Sequence, residues 1–184
     1  MHSKRITNTG RSQRGQTLME LVVVLAVSII IIGALVFATI SSLRNAQFAK
    51  NQSQATKLAQ EALERVRSAR DRNSVIQGFT MAASPITSWD DPELWSLLIS
   101  DNCIPNCYFK LNGNILQYLG AGSDIPAGAE NPLGDGKFKR VIILSDEPAP
   151  LGIWQVQKTV TVIVQWKDFS GPHESKLTSV LRKI

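Results

Sequence analysis

Histidine and cysteine are nearly missing from this chain of 184 residues, which has two of each. His2 and His173 lie near opposite ends, and Cys103 and Cys107 are the only thiols. This excludes a metal centre of the His/Cys type and leaves no Cys/His or Ser/His/Asp constellation from which to argue an enzyme. No acid occurs among residues 1–15, no ionisable group between Leu21 and Leu43, and no proline between Gln16 and Pro85. Those three gaps organise the N-terminal third. Charged residues make up 19% and apolar residues 43%, a balance that excludes wholesale disorder.

The uncharged run holds 23 residues, among them Val22, Val23, Val24, Leu25, Ile29, Ile30, Ile31 and Ile32. As a helix it is about 34 Å long, which matches a hydrocarbon core of ~30 Å. A core helix of a soluble domain seldom runs that far without a polar stripe, so residues 21–43 read as a transmembrane helix. Lys4, Arg5, Arg11 and Arg14 precede the run; the formal net charge is +5, and +1 remains from Gln16 onward. The basic balance therefore belongs to the leader, and no nucleic-acid partner is needed to explain it. Four basic residues before the span, against Arg44 and Lys50 after it, place the N-terminus in the cytoplasm and the C-terminal bulk outside.

Past Leu43 the pattern turns amphipathic. Phe48, Ala55, Ala59, Ala62, Val66 and Ala69 follow steps of three and four, with Gln52 filling the gap. With no Pro or Gly from Ala34 to Asn73, the simplest reading is one helix from about Thr17 to Arg72. The segment "EALERVRSARDRN" carries Arg65, Arg67, Arg70 and Arg72, but Glu61–Arg65 and Arg67–Asp71 are spaced for i,i+4 pairing. That is a solvated helix face rather than a DNA-contacting one.

Residues 74–107 read as a connector, with a short helix in "DDPELWSLLI" opened by Asp90 or Asp91 and with Pro92 at its first position. "CYFKLNGNILQYLG" has the form of a hairpin turning at Asn112, Gly113 and Asn114, and "KFKRVIIL" (137–144) is a further strand. In "VQKTVTVIVQWK", Val156, Val160, Val162, Val164 and Trp166 share one face; Gln157, Thr159, Thr161, Gln165 and Lys167 share the other. That is a sheet with one buried face, for which the amphipathic helix is the natural cover. "SKLTSVLRKI" supplies the last strand, and His173 in "SGPHES" reads as part of a turn. In the Gly- and Pro-rich loop 120–136, Asp124, Glu130 and Asp135 could offer oxygens to calcium, but their spacing fits no EF-hand and a plain surface loop is the better reading. No strand-to-helix context makes its glycines a phosphate cradle.

Cys103 and Cys107, in "DNCIPNCYF", fall in the exported part, where an oxidising compartment favours an intrachain disulfide. Pro105 and Asn106 supply a turn that can bring the two together; free thiols and pairing with another chain are the alternatives.

Glu20 stands one step before the uncharged run, in "RGQTLMELVVVL". A basic leader, a glycine, "QTLMEL", a long apolar run, an amphipathic helix and an exported sheet domain together resemble type IV prepilins and the pseudopilins of type II secretion. Gly15, Thr17, Leu18 and Glu20 match that family's cleavage motif, with Gln16 where Phe is commonest. The stretch "ATKLAQEALERVRSARDRN" is similar to the helix of V-type minor pilins and I-type minor pseudopilins. The family's major pilins often carry a proline in the apolar segment, so its absence here leans towards a minor subunit.

The resemblance implies an α+β fold of the pilin type, with a long N-terminal helix packed on a small antiparallel sheet. It divides the chain into a cleaved leader (1–15), a transmembrane and assembly helix (16–43), an amphipathic helix (44–73) and an exported globular domain (74–184). A prepilin peptidase would cut between Gly15 and Gln16 and methylate Gln16, with Thr17 and Leu18 as recognition residues. Glu20 would then pair with the N-terminal amine of a neighbouring subunit. The implied partners are the peptidase, other pilin or pseudopilin subunits, the inner-membrane assembly platform and the membrane. No cofactor, metal or nucleic acid is implied. The implied location is the inner membrane, then a filament in the periplasm or at the cell surface. The competing readings are an adhesive or DNA-capturing pilin and a single-pass anchored binding protein or enzyme unrelated to filaments.

Overall fold

A computed structural model of the protein describes residues 14–101, 103–146 and 156–184. The leader residues 1–13, with Lys4, Arg5 and Arg11, lie outside the described residues. The chain forms two compact units, Met1–Gln47 and Phe48–Ile184.

One helix, α1, spans Arg14–Asp71. In the first unit, every described side chain from Leu18 to Gln47 is exposed except the half-exposed Ser28. Ser28 Oγ donates to Val24 O at 2.7 Å and Thr39 Oγ1 to Val36 O at 2.8 Å, so these two hydroxyls find acceptors within their own helix. This is the arrangement a segment needs where no water is present to bond. By length and composition, α1 is long and apolar enough to cross a membrane.

The second unit is built on the rest of α1. Ala55, Ala59, Ala62, Val66 and Ala69 are fully buried, and Leu58 and Leu63 nearly so. Four of the five fully buried positions are alanine, which lets the helix backbone approach the sheet closely. The helix stops at Asn73, whose φ of 49° reverses the chain. Ser74 N–H then donates to Ala69 O and Asn73 N–H to Arg70 O, the two bonds of a Schellman cap.

Seven strands follow: β1 (Val75–Met81), β2 (Ser84–Ser88), β3 (Asn106–Asn112), β4 (Ile115–Gly122), β5 (Phe138–Ser145), β6 (Gln157–Asp168) and β7 (Gly171–Arg182). They form one sheet in the order β2-β1-β4-β3-β5-β6-β7, antiparallel except for the β1–β4 pair. Between β2 and β3 lie the short helix α2 (Pro92–Ser96) and a 3₁₀ turn at Ile99–Asp101. The fold is thus α+β, consistent with a pilin-like architecture.

The β3–β4 hairpin, β5, β6 and α2 fall where the sequence pattern puts them. Asn112 pairs with Ile115 across a two-residue turn whose Gly113 takes φ 62°. Other expectations are corrected. The stretch 74–107 is no mere connector, because it contains the β1–β2 hairpin. The sheet is antiparallel as expected but for the β1–β4 pair, and it has seven strands. His173 sits within β7, opposite Trp166, not in a turn. Val156 precedes β6 and is 53% exposed, so it does not share the buried face.

The sheet is also buried on both faces at its centre. Phe109, Phe138, Ile142, Val160, Val162, Val164 and Trp166 join the helix-side core. On the opposite face, Tyr108, Val141, Ile143 and Ile163 form a second cluster, against which Leu119, Ile125 and Ala129 pack. The loop after β4 supplies that cover, so the alternation in β6 reports two apolar environments of different depth.

Candidate processing and assembly site

Gly15, Gln16 and Thr17 lie at the start of α1, and their side chains are outside the described residues. Leu18 is 65% exposed. Glu20 is exposed as well, and among the described residues no hydrogen bond or ion pair engages its carboxylate. Residues 16 and 20 are one turn apart on α1 and so share a helix face. A charge next to an uncharged apolar run is costly in lipid, and such groups generally serve a partner. Glu20 is the fifth residue after the Gly15–Gln16 bond.

In the second unit, polar side chains serve the fold. Arg140, on β5, is 1% exposed. Its guanidinium donates to Glu130 Oε2 at 3.0 Å and Oε1 at 2.6 Å, and to the Leu58 carbonyl of α1 at 2.9 Å. Glu130 also pairs by its backbone with Arg140, so the loop after β4 continues the sheet beside β5. Asp135 accepts from Lys137 N–H and Asp124 lies against Ser123 Oγ, so the three acids of this loop are engaged separately. Among the described residues, no group of three His, Cys, Asp or Glu side chains could hold a metal ion.

The second buried charge pair joins β6 to the end of β5. Lys158 Nζ binds Asp146 Oδ1 and donates to Leu97 O at 2.9 Å, while Asp146 Oδ2 accepts from the N–H groups of Ile99 and Ser100. Burial pushes the Lys158 pKa below the usual lysine value, against the opposing pull of Asp146. The pair ties the α2 and 3₁₀ segment to the sheet, next to the disulfide. Cys103 and Cys107 are bridged, with Cα atoms 5.0 Å apart and both residues buried. The loop they close carries a cis Ile104–Pro105 bond and exposes Ile104.

Asp91 occupies the N-cap position of α2, but its carboxylate turns backward to the N–H groups of Thr87 and Ser88 and the Thr87 hydroxyl. Led by the Thr87 N–H, these bonds hold its pKa below the usual carboxylate value. Three of the four arginines of the cluster, Arg65, Arg67 and Arg70, are paired, and Arg72 is exposed just past the end of α1. Arg65 pairs with Glu61 as the spacing predicts, at 2.5 Å. Arg67 takes Glu64 and Ser179 instead of Asp71, because β7 passes beside it; Asp71 pairs with Arg70, which also bonds Arg182 O. His173 Nε2 lies 2.8 Å from Asp168 Oδ1, with its ring stacked on Trp166, a packing role.

Sequence reasoning missed Lys158, Asp146 and Arg140, and named Glu130 only as a possible calcium oxygen, not as the partner of Arg140. A lysine inside the apolar alternation of β6 was the one available signal, and it pointed to a buried partner without naming it.

No curated protein and no solved structure matches this chain. Residues 10–36 match the family model described as the prokaryotic N-terminal methylation motif, so the chain carries the type IV prepilin-like signature.

Proposed function

We propose that this chain is a minor pilin or pseudopilin, a non-catalytic subunit of a type IV pilus or type II secretion-like filament. Prepilin peptidase removes residues 1–15 and methylates the new N-terminus at Gln16, recognising the Gly15-to-Leu18 stretch. Residues 16–43 then hold the subunit in the inner membrane, with residues 74–184 exported, until the assembly platform draws it into a filament. The observation that carries this reading is Glu20, an exposed carboxylate without a partner among the described residues. It directly precedes the exposed apolar run of α1 inside the matched motif. In the apolar interior of a filament, the methylated amine of a neighbour is a partner of opposite charge, and the attraction sets the register of the incoming subunit.

The test is the N-terminal mass of the mature chain, followed by Glu20→Ala. Loss of residues 1–15 with one added methyl group is expected. Glu20→Ala is expected to leave a processed, membrane-resident subunit that is absent from sheared filaments. A chain that retains Met1, or a Glu20→Ala variant that assembles normally, overturns the reading. Pairing of Arg65, Arg67 and Arg70 within the fold speaks against DNA capture by that surface.

A further inference from the structure

The tip of the β6–β7 hairpin is Phe169, which is 89% exposed, more than any other large apolar side chain described. Hairpin turns favour small polar residues, so an aromatic there needs a reason. Position supplies one. Along α1, Phe48 touches the Trp166 and His173 rings, Thr56 meets Ser175, Arg67 meets Ser179, and Arg70 meets the Arg182 carbonyl. β7 therefore runs alongside α1 in the same direction, and the hairpin tip lies at the Phe48 end of the second unit. Phe48 follows Leu43, the last residue of the uncharged run, by five positions, and five residues reach at most about 18 Å.

The same end is lysine-rich. Lys137, Lys139 and Lys167 line one shallow pocket of ≈ 200 Å³ with Pro172 and Gln165. Lys139, Lys167 and Lys50 are exposed, and none forms an ion pair among the described residues. Of the acids nearby, Asp168 and Asp135 are engaged, and Glu174 is exposed. Asp168 is bonded to Ser170 N–H and His173, and Asp135 to Lys137 N–H; Glu174 faces Gln165 across the strands.

From this geometry we infer that the hairpin tip is a membrane-surface contact. Phe169 enters the headgroup boundary of the bilayer that the chain's own span crosses, and Lys139 and Lys167 meet anionic phospholipid there. An aromatic flanked by cations is the chemistry that binds such an interface. The contact holds the exported unit against the membrane in the waiting state, so release of the hairpin accompanies extraction into a filament. The inference rests on the reading that residues 21–43 span the bilayer.

The test uses the full chain in vesicles of phosphatidylcholine with phosphatidylglycerol. A nitroxide is placed at Ser170→Cys, beside Phe169 in the exposed turn, which keeps the aromatic in place, and a control at Lys183→Cys, which the Arg70–Arg182 contact puts at the far end of the unit; the native cysteines are disulfide-bonded and do not react. Relaxation by a water-soluble nickel complex reads exposure, and flotation of the vesicles reads anchoring independently. The label at 170 is expected to be shielded severalfold relative to 183. Removing the two charges by Lys139→Gln and Lys167→Gln is expected to weaken the contact about fivefold per lysine and restore access. Equal exposure at both positions in floated vesicles overturns the inference while leaving the anchor intact. Shielding that disappears when protein is diluted in lipid assigns the tip to a second copy, and also overturns it.

Discussion

Arg140 of β5 donates to the carbonyl of Leu58 in α1 across 2.9 Å, in a site where the arginine is 1% exposed. The same guanidinium clamps Glu130 with two further bonds, so one side chain joins the helix, the sheet and the loop that covers the sheet's second face. A buried guanidinium is costly unless its donors are met, and here Nε, Nη1 and Nη2 each have an acceptor.

Arg140→Ala should therefore destabilise the exported unit by about 3–5 kcal/mol, the usual cost of breaking a buried pair from one side. Urea unfolding of the detergent-solubilised chain, followed by the fluorescence of buried Trp89, Trp95 and Trp166, measures it. Glu130→Gln keeps the shape and some of the bonding, so a smaller loss is expected. Equal stability of Arg140→Ala and wild type would show that the junction contributes nothing.

The Lys158–Asp146 pair carries a pH signature. Burial lowers the Lys158 pKa below 10.5, so the folded state holds its proton less tightly than the unfolded chain does. The cost of the buried ammonium is thus full at neutral pH and relieved as pH climbs from the lowered value towards 10.5. Asp146→Asn removes the counter-charge and is expected to cost about 3 kcal/mol near neutrality. The gap between variant and wild type should narrow at alkaline pH, as the lysine sheds its proton. Unfolding curves at neutral and alkaline pH decide this, and a gap that widens with pH would refute the assignment.

How much of this was legible beforehand depends on whether the signal was local. Periodicity in α1, the Asn-Gly-Asn turn, the β6 alternation and the Gly15-to-Glu20 spacing are all short-range patterns, and each reads directly from neighbouring residues. Arg140 with Leu58 and Lys158 with Leu97 join residues 82 and 61 positions apart, and nothing in either segment names its partner. The two-faced burial of the sheet was hidden for a related reason. Thr159 and Thr161 look solvent-facing by type, yet they are buried alongside Ile163 on the face opposite the helix.

The β1–β2 hairpin escaped through its turn. Met81 pairs with Ser84, and the two residues between them, Ala82 and Ala83, take φ of 47° and 68°. A two-residue turn with both φ positive favours Asn-Gly, because a Cβ in the left-handed region costs roughly 1–2 kcal/mol. An Ala-Ala turn gives no signal of that kind and leaves strain behind. Ala82→Asn with Ala83→Gly should stabilise the unit by about 1 kcal/mol, after the entropy cost of the added glycine. A rise in the thermal midpoint of the double variant is the expected readout; a fall would mean that the native turn is not strained.

The disulfide offers a contrast in scale. Cys103 and Cys107 are four positions apart, so the bridge restrains only a short loop in the unfolded chain. Chain-entropy arithmetic for a loop that small gives about 2 kcal/mol. The neighbouring Asp146 contacts hold the same segment through the N–H groups of Ile99 and Ser100, so the native position of the loop does not depend on the bridge alone. Replacing both cysteines with alanine should thus lower stability by about 2 kcal/mol without preventing folding, and less than Asp146→Asn does. Combining the two changes should cost more than their sum, because each constraint still holds the segment when the other is gone. The double-mutant cycle in urea measures that excess. Strict additivity would show that the bridge and the buried ion pair act on separate parts of the unit.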